Sequence, residues 1–248
     1  MDVDLVMQDW SQEDGQIRCL AHVLNLTAQT VLKTRRSEAE EREVDLASAE
    51  CDDSIHNKGV DPATTLRKLR QIVAKVRSSN LLWEALQEDV QRRRLNCLVL
   101  ILDVRVRWNL TYKMIERAVY LRPALERLLA VDNSRKFSKA RTPLTLSTTD
   151  WNTLERVSKI LCLFVDPTKF AYGSTYPTLS SQLQYYQFLQ NALHELIKSE
   201  PPMEDDPDPN STAYNICSAA DHAYQKLNQY WIKTDSNTRQ VIATILDP

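Results

Sequence analysis

The chain has 248 residues, 43% of them apolar and 26% charged, with a formal net charge of −2; it can bury a substantial core and carries no global polycation signature. Only 3 glycines occur, which argues for helices and against Rossmann or phosphate-loop sites, where glycine supplies positive φ and close backbone approach. The five cysteines are widely spaced and form no C-x-x-C pair, so neither a disulfide framework nor a zinc ribbon is encoded, and a reducing intracellular compartment fits best.

In chain order, "MDVDLVMQDW" is acidic and lacks the basic start and apolar block of a secretion signal. "QIRCL" reads as a short strand or helix lead-in. From Ala21, the segment "AHVLNLTAQTVLKT" puts Val23, Leu24, Leu26, Thr27 and Val31 on roughly one helical face. Cys19 and His22 stand three apart in "RCLAHVLNL". That spacing admits half a zinc site, a nucleophile with its base, or two neighbours at a strand-to-helix junction with His22 partly buried. Zinc needs four ligands and a nucleophile pair needs an orienting acid, and the sequence offers neither complement.

Residues 37–54 hold eight acids against one arginine, the pattern of a solvated loop. Asp61 before Pro62 suits a helix cap followed by proline at the first helical position. Leu66, Leu69, Ile72, Val73 and Val76 then mark a strongly amphipathic helix. A second helix is expected over Leu81–Val90. The run Arg92–Arg94 and the cluster Arg135, Lys136, Lys139 and Arg141 are read as the only concentrated positive patches, either solvated or facing DNA. "LVLILDVRVRWN" fits a buried strand, a helix or an extended segment, and the apolar run around it is too short to span a bilayer.

Beyond it a helix is expected to about Leu121, with Pro123 kinking it or dividing it into two. Thr149 or Asp150 is expected to cap one long helix through "WNTLERVSKILCLFVDPTKFAY", buried along Leu154, Val157, Ile160, Leu161 and Phe164. Pro177 is expected to open the next helix. "EPPMEDDPDPN" reads as an exposed linker; Glu204, Asp205, Asp206 and Asp208 lack the glycine and spacing of an EF-hand. A last helix precedes "RQVIATILDP", an apolar end read as a strand or helix without its partners, as though the chain stops in mid-fold.

Four stretches in order resemble the hAT superfamily of DNA transposases, especially the fungal versions. They are "RCLAHVLNLTAQ", "LDVRVRWNLTYKMIERAVYLRPAL", "DWNTLERVSKILCLFVDPTKFAYGSTYPTL" and "AYQKLNQYW…ATILDP". Val106 stands where that family commonly has threonine, and Leu110 where it has serine. The resemblance implies a mainly α fold: a helical insertion domain attached to a partial ribonuclease-H-like α/β core. The implied division is residues 1–36 as a core remnant (strand plus helix), 37–60 an acidic disordered loop, 61–200 the helical insertion domain, 201–212 a Pro/Asp-rich linker, and 213–248 a helix with the truncated end of the ribonuclease-H-fold region.

The same resemblance implies that intact relatives cleave DNA with three carboxylates holding Mg or Mn. The family places two of these acids upstream of its C-x-A-H segment and the third beyond its L-D-P segment. No catalytic acid and no metal ligand is therefore assigned here, and no cofactor is expected. Cys19 and His22 would lie beside the active site. Trp108 would stack on a flipped base, with Arg105, Arg107 and Asn109 beside it and Arg92, Arg93 and Arg94 as further DNA-binding candidates. The implied partners are transposon-end DNA and protein partners, with no membrane and no small-molecule substrate. The expected location is the nucleus, otherwise the cytoplasm, and not outside the cell. The alternative reading is a domesticated helical protein-interaction module.

Overall fold

The computed structural model of the chain describes residues 19–32, 62–96, 99–104, 107–134, 144–173, 178–199, 212–235 and 238–246. Within them lie α1 (Leu20–Leu32), α2 (Pro62–Ser78), α3 (Asn80–Arg92), α4 (Trp108–Tyr120), α5 (Arg122–Ser134), α6 (Thr148–Cys162), α7 (Val165–Ala171), α8 (Gln182–Ser199), α9 (Thr212–Asp235) and α10 (Thr238–Leu246). No strand occurs among the described residues, so the fold is mainly α. Gln16, Ile17 and Arg18 of the "QIRCL" segment lie outside the described residues, as do the acidic loop and residues 201–211 of the proline-rich linker.

Helix α1 has 13 residues and no acid or base in its end turns. A helix that short is marginal alone, so tertiary burial must stabilise it. Val23, Leu24, Ala28 and Val31 are fully buried, and each of the larger three contributes about 1.5–3 kcal/mol. α1 packs against α9, α7, α6 and α4, and its apolar face joins one cluster that also takes in α2, α3 and α5.

Helix α2 buries the five aliphatic residues expected of it. Ser79 then caps α3, its hydroxyl accepting from the Leu82 N–H at 3.4 Å. α3 is longer than expected at both ends and closes in a Schellman motif. Arg94 takes φ 55°, its N–H donates to the Gln91 carbonyl, and the Leu95 N–H donates to the Val90 carbonyl. A left-handed non-glycine residue costs roughly 1–2 kcal/mol, offset by satisfying two terminal carbonyls.

The ambiguous apolar run is neither helix nor paired strand where it is described. It is a strap that runs antiparallel to α4 and is pinned by side chains. The Asn96 N–H donates to the Tyr120 hydroxyl at 3.0 Å, and Arg117 Nη1 donates to the Val99 carbonyl at 2.7 Å. Further along, the Asp103 carboxylate accepts from Thr111 Oγ1 at 2.6 Å. Leu100 points into the core, while Val99, Leu102 and Val104 face outward.

Pro123 divides rather than kinks: α4 ends at Tyr120, Leu121 forms the turn, and α5 begins at Arg122. At the second helical position its missing N–H removes no helical bond. Three expectations need correction. The cap of α6 is Ser147, with Asp150 as the reciprocal acid of a capping box, because the S-x-x-D spacing satisfies two end donors at once. The expected long helix breaks at Leu163–Phe164 into α6 and α7, since Pro167 in a continuous helix would leave the Leu163 carbonyl without its donor. Helix α8 starts at Gln182, after a turn through Leu179–Ser181; Pro177 is outside the described residues. The apolar end is helical, and α10 packs on α8 and α9 while exposing Ile242, Ile245 and Leu246.

Candidate functional site

Three buried aspartates organise the α2–α6 region, and each is held by cations. On the strap, Asp103 accepts from Arg70 of α2 through Nε at 2.8 Å and Nη2 at 2.7 Å, as well as from Thr111 of α4. Its side chain is 1% exposed. The planar guanidinium fork suits this bidentate geometry, and the three elements are tied at one point.

Asp150 opens α6 and accepts from Lys68 Nζ at 3.1 Å, Thr65 Oγ1 at 3.1 Å and the Ser147 N–H at 2.9 Å. Burial works to raise its pKa, yet the Ser147 hydrogen bonds and the Lys68 ammonium outweigh it and hold the carboxyl below the ordinary aspartate range. Asp89 of α3 accepts from Arg93 at 2.7 Å and from Arg127 of α5 at 2.8 Å.

Those pairs decide how much of the arginine run is free. Arg92 is paired with Glu88 at 3.2 Å and Arg93 with Asp89, so two of the three charges are balanced within α3. Only Arg94, at the left-handed position, lacks an ion pair among the described residues. All three sit at a helix C-terminus, where the helix dipole favours cations. Arg107 precedes α4 and is exposed, and Asn109 is half-buried. Arg105 lies outside the described residues, as do Arg135, Lys136, Lys139 and Arg141.

Trp108 is 2% exposed and meets Phe164 edge-on with ring centroids 6.1 Å apart. It is thus a core residue, and its ring faces protein rather than a base in this arrangement. Cys19 and His22 are both exposed, at the start of α1. The partly buried placement expected for His22 is corrected: it lies on the narrow strip of α1 left uncovered by the core. No group of three His, Cys, Asp or Glu positioned to hold a metal ion occurs among the described residues.

A basic surface on α2 escaped the sequence reading, which looked for runs of like charge. Arg67, Lys68, Arg70, Lys75 and Arg77 occupy this 17-residue helix without one acid. Lys68 and Arg70 are tied to Asp150 and Asp103, whereas Arg67 and Arg77 are exposed and have no ion pair among the described residues. The signal was the spacing of cations around the polar half of the helix. The expectation that the arginine run and the 135–141 cluster are the only positive patches is accordingly corrected.

Residues 17–160 match the family model described as the ZBED1 RNase-like helical domain. The chain is 28% identical over 233 residues to the "Putative AC transposase" of Zea mays, covering 94% of this chain and 23% of that protein. It is 23% identical over 237 residues to the "Zinc finger BED domain-containing protein RICESLEEPER 3" of Oryza sativa subsp. japonica, covering 94% of this chain and 25% of that protein. The chain thus spans about a quarter of the length of the relatives it matches. No solved structure matches it. The matched span consists mainly, where it is described, of helices and the strap that joins two of them, and the relatives align along almost the whole chain: the chain belongs to the ZBED1 RNase-like helical domain family, as a hAT-type transposase-derived protein.

Proposed function

We propose that this chain is a DNA-engaging helical domain of a transposase-derived nuclear protein and does not itself cleave DNA strands. The observation that carries the second half is the fate of the buried aspartates among the described residues. Divalent-metal phosphodiester chemistry needs carboxylate oxygens that converge and are free to coordinate. Asp89, Asp103 and Asp150 lie on separate elements, and each is already occupied by an arginine or lysine. These residues do not fit a two-metal site.

The DNA half rests on the relatives and on exposed cations. Arg94 and Arg107 flank the strap and, among the described sequence-derived candidates, have the freest side chains; Arg92 and Arg93 contribute only when their carboxylate partners release them. Cys19 and His22 remain candidates for a position beside the active site of a longer protein, and Trp108 for a packing anchor under the Arg107 segment. No described helix is long and apolar enough to cross a membrane. A second reading, a protein-interaction module, is favoured by the outward Val99, Leu102 and Val104 on a strap not paired in any sheet.

The test is binding of a duplex carrying transposon-end sequence across a salt series, with magnesium or manganese present in a parallel cleavage assay. Binding that weakens linearly on a log–log salt plot, with intact strands, is expected. Strand cleavage by the chain alone overturns the non-catalytic half, and absence of binding at low salt overturns the other.

A further inference from the structure

We propose that the outward face of α2 is a track for the phosphate backbone of duplex DNA, with Arg67 and Arg77 as its contacting residues. The proposal deepens the DNA-binding reading and rests on it. Buried residues Thr65, Leu66, Leu69, Ile72, Val73 and Val76 fix which side of α2 faces the core. At about 100° per residue, Arg67 points directly away from that side. Arg70 and Arg77 line one flank, and Lys68 and Lys75 the other. Between the flanks the ridge continues through Gln71, Ala74 and Ser78, which are neutral and exposed.

Charge balance distinguishes this face from an ordinary solvated one. Every other described helix with more than one cation also carries an acid, and in α3 through α8 several of these form ion pairs on their own helix. Helix α2 has none. Its two clasped cations are neutralised by acids from the strap and α6, on its flanks, which leaves Arg67 on the ridge and Arg77 at its edge without a carboxylate partner among the described residues. Ten residues separate them, about 15 Å along the axis, so the two guanidinium groups reach different phosphates. A flat neutral ridge lets the backbone approach, and arginine forks suit phosphate oxygens. A polyanion with regularly spaced charges is the occupant that matches; the acidic side of a protein would leave the ridge without apolar contact.

The full chain, titrated into a fluorescent duplex between about 50 and 200 mM salt, tests this. The double variant Arg67→Gln with Arg77→Gln should lower the log–log salt slope by about 1.8, since each phosphate contact contributes about 0.9. Arg67→Lys with Arg77→Lys should restore the slope, which separates lost charge from lost fold. Lys169→Gln with Lys198→Gln, at exposed ion-paired sites elsewhere, should leave it unchanged. A wild-type slope from the glutamine variant, while wild type binds, overturns the track and leaves DNA binding by other residues standing. No binding by wild type removes the DNA reading and the track with it. Competition by polyglutamate as effective as by duplex DNA overturns the assignment to nucleic acid.

Discussion

Helices α2 and α3 are neighbours in sequence, joined through Ser79, and both are amphipathic, yet they handle positive charge in opposite ways. Helix α3 ends in three consecutive arginines, the most conspicuous basic run in the chain, and spends two of them on Glu88 and Asp89. Helix α2 shows no run longer than two, but its five cations are spread over the outward ridge and the two flanks, and no acid shares the helix. Consecutive like charges on a helix point in different directions and meet partners one turn back. Charges spaced by seven, as Arg70 with Arg77 and Lys68 with Lys75, line up along one flank, and with Arg67 on the ridge between them their fields add. For an exposed surface, spacing outweighs density.

Five substitutions probe that contrast. The largest effect is expected from Asp103→Ala, which would leave Arg70, mostly buried with a side chain 22% exposed, without its acceptor. Removing one partner of such a pair costs about 3 kcal/mol, read as a lowered midpoint in urea. The freed Arg70 should also strengthen DNA binding at low salt. A stability change near zero would show that the strap does not depend on this tie.

Next comes Asp89→Asn, which releases Arg93 and Arg127. Both arginines are substantially exposed, so the loss should be only about 1–2 kcal/mol. Affinity for a duplex should rise, making α3 resemble α2. Unchanged affinity would contradict the idea that pairing silences the run.

Ser147→Ala removes half of the α6 capping box and should cost about 1 kcal/mol in thermal or urea unfolding. It bears on α2 because Asp150, held by Ser147, is what neutralises Lys68. The pH dependence has a definite sign: the folded-state pKa of Asp150 is depressed, so its contribution is present above the unfolded aspartate value of about 3.9 and is lost as pH falls through the folded value. Asp150→Asn should flatten the acid limb of a stability–pH curve, and an unaltered limb would deny the coupling.

The smallest effect is expected for Glu88→Gln. Both members of its pair with Arg92 are more than 60% exposed, so stability should stay within about 0.5 kcal/mol. Duplex affinity should rise slightly, less than for Asp89→Asn.

How much could be read in advance depended on range. The α2 stripe, the helix after Leu81 and the division at Pro123 arise from residues within a turn or two of one another, and each is present as expected or a little longer. The course of the strap depends on Arg70 reaching Asp103, 33 residues away, and no local pattern encodes that. Trp108 shows the same limit. The polar neighbours Arg107 and Asn109 give no local sign of full burial, which Phe164, supplied by the turn after α6, completes. Ser147 was legible and overlooked, since S-x-x-D is a local signal. The α2 surface was likewise legible, as a face and not as a run.

Arginine-selective modification followed by mass spectrometry, on the intact chain with and without duplex DNA, reads the difference between α2 and α3 residue by residue. Arg67 and Arg77 should react faster than Arg70 and Arg93 in the free protein, and DNA should shield the first two most strongly. Equal reactivity of the four, or shielding confined to Arg92–Arg94, would contradict the division of charge between the two helices.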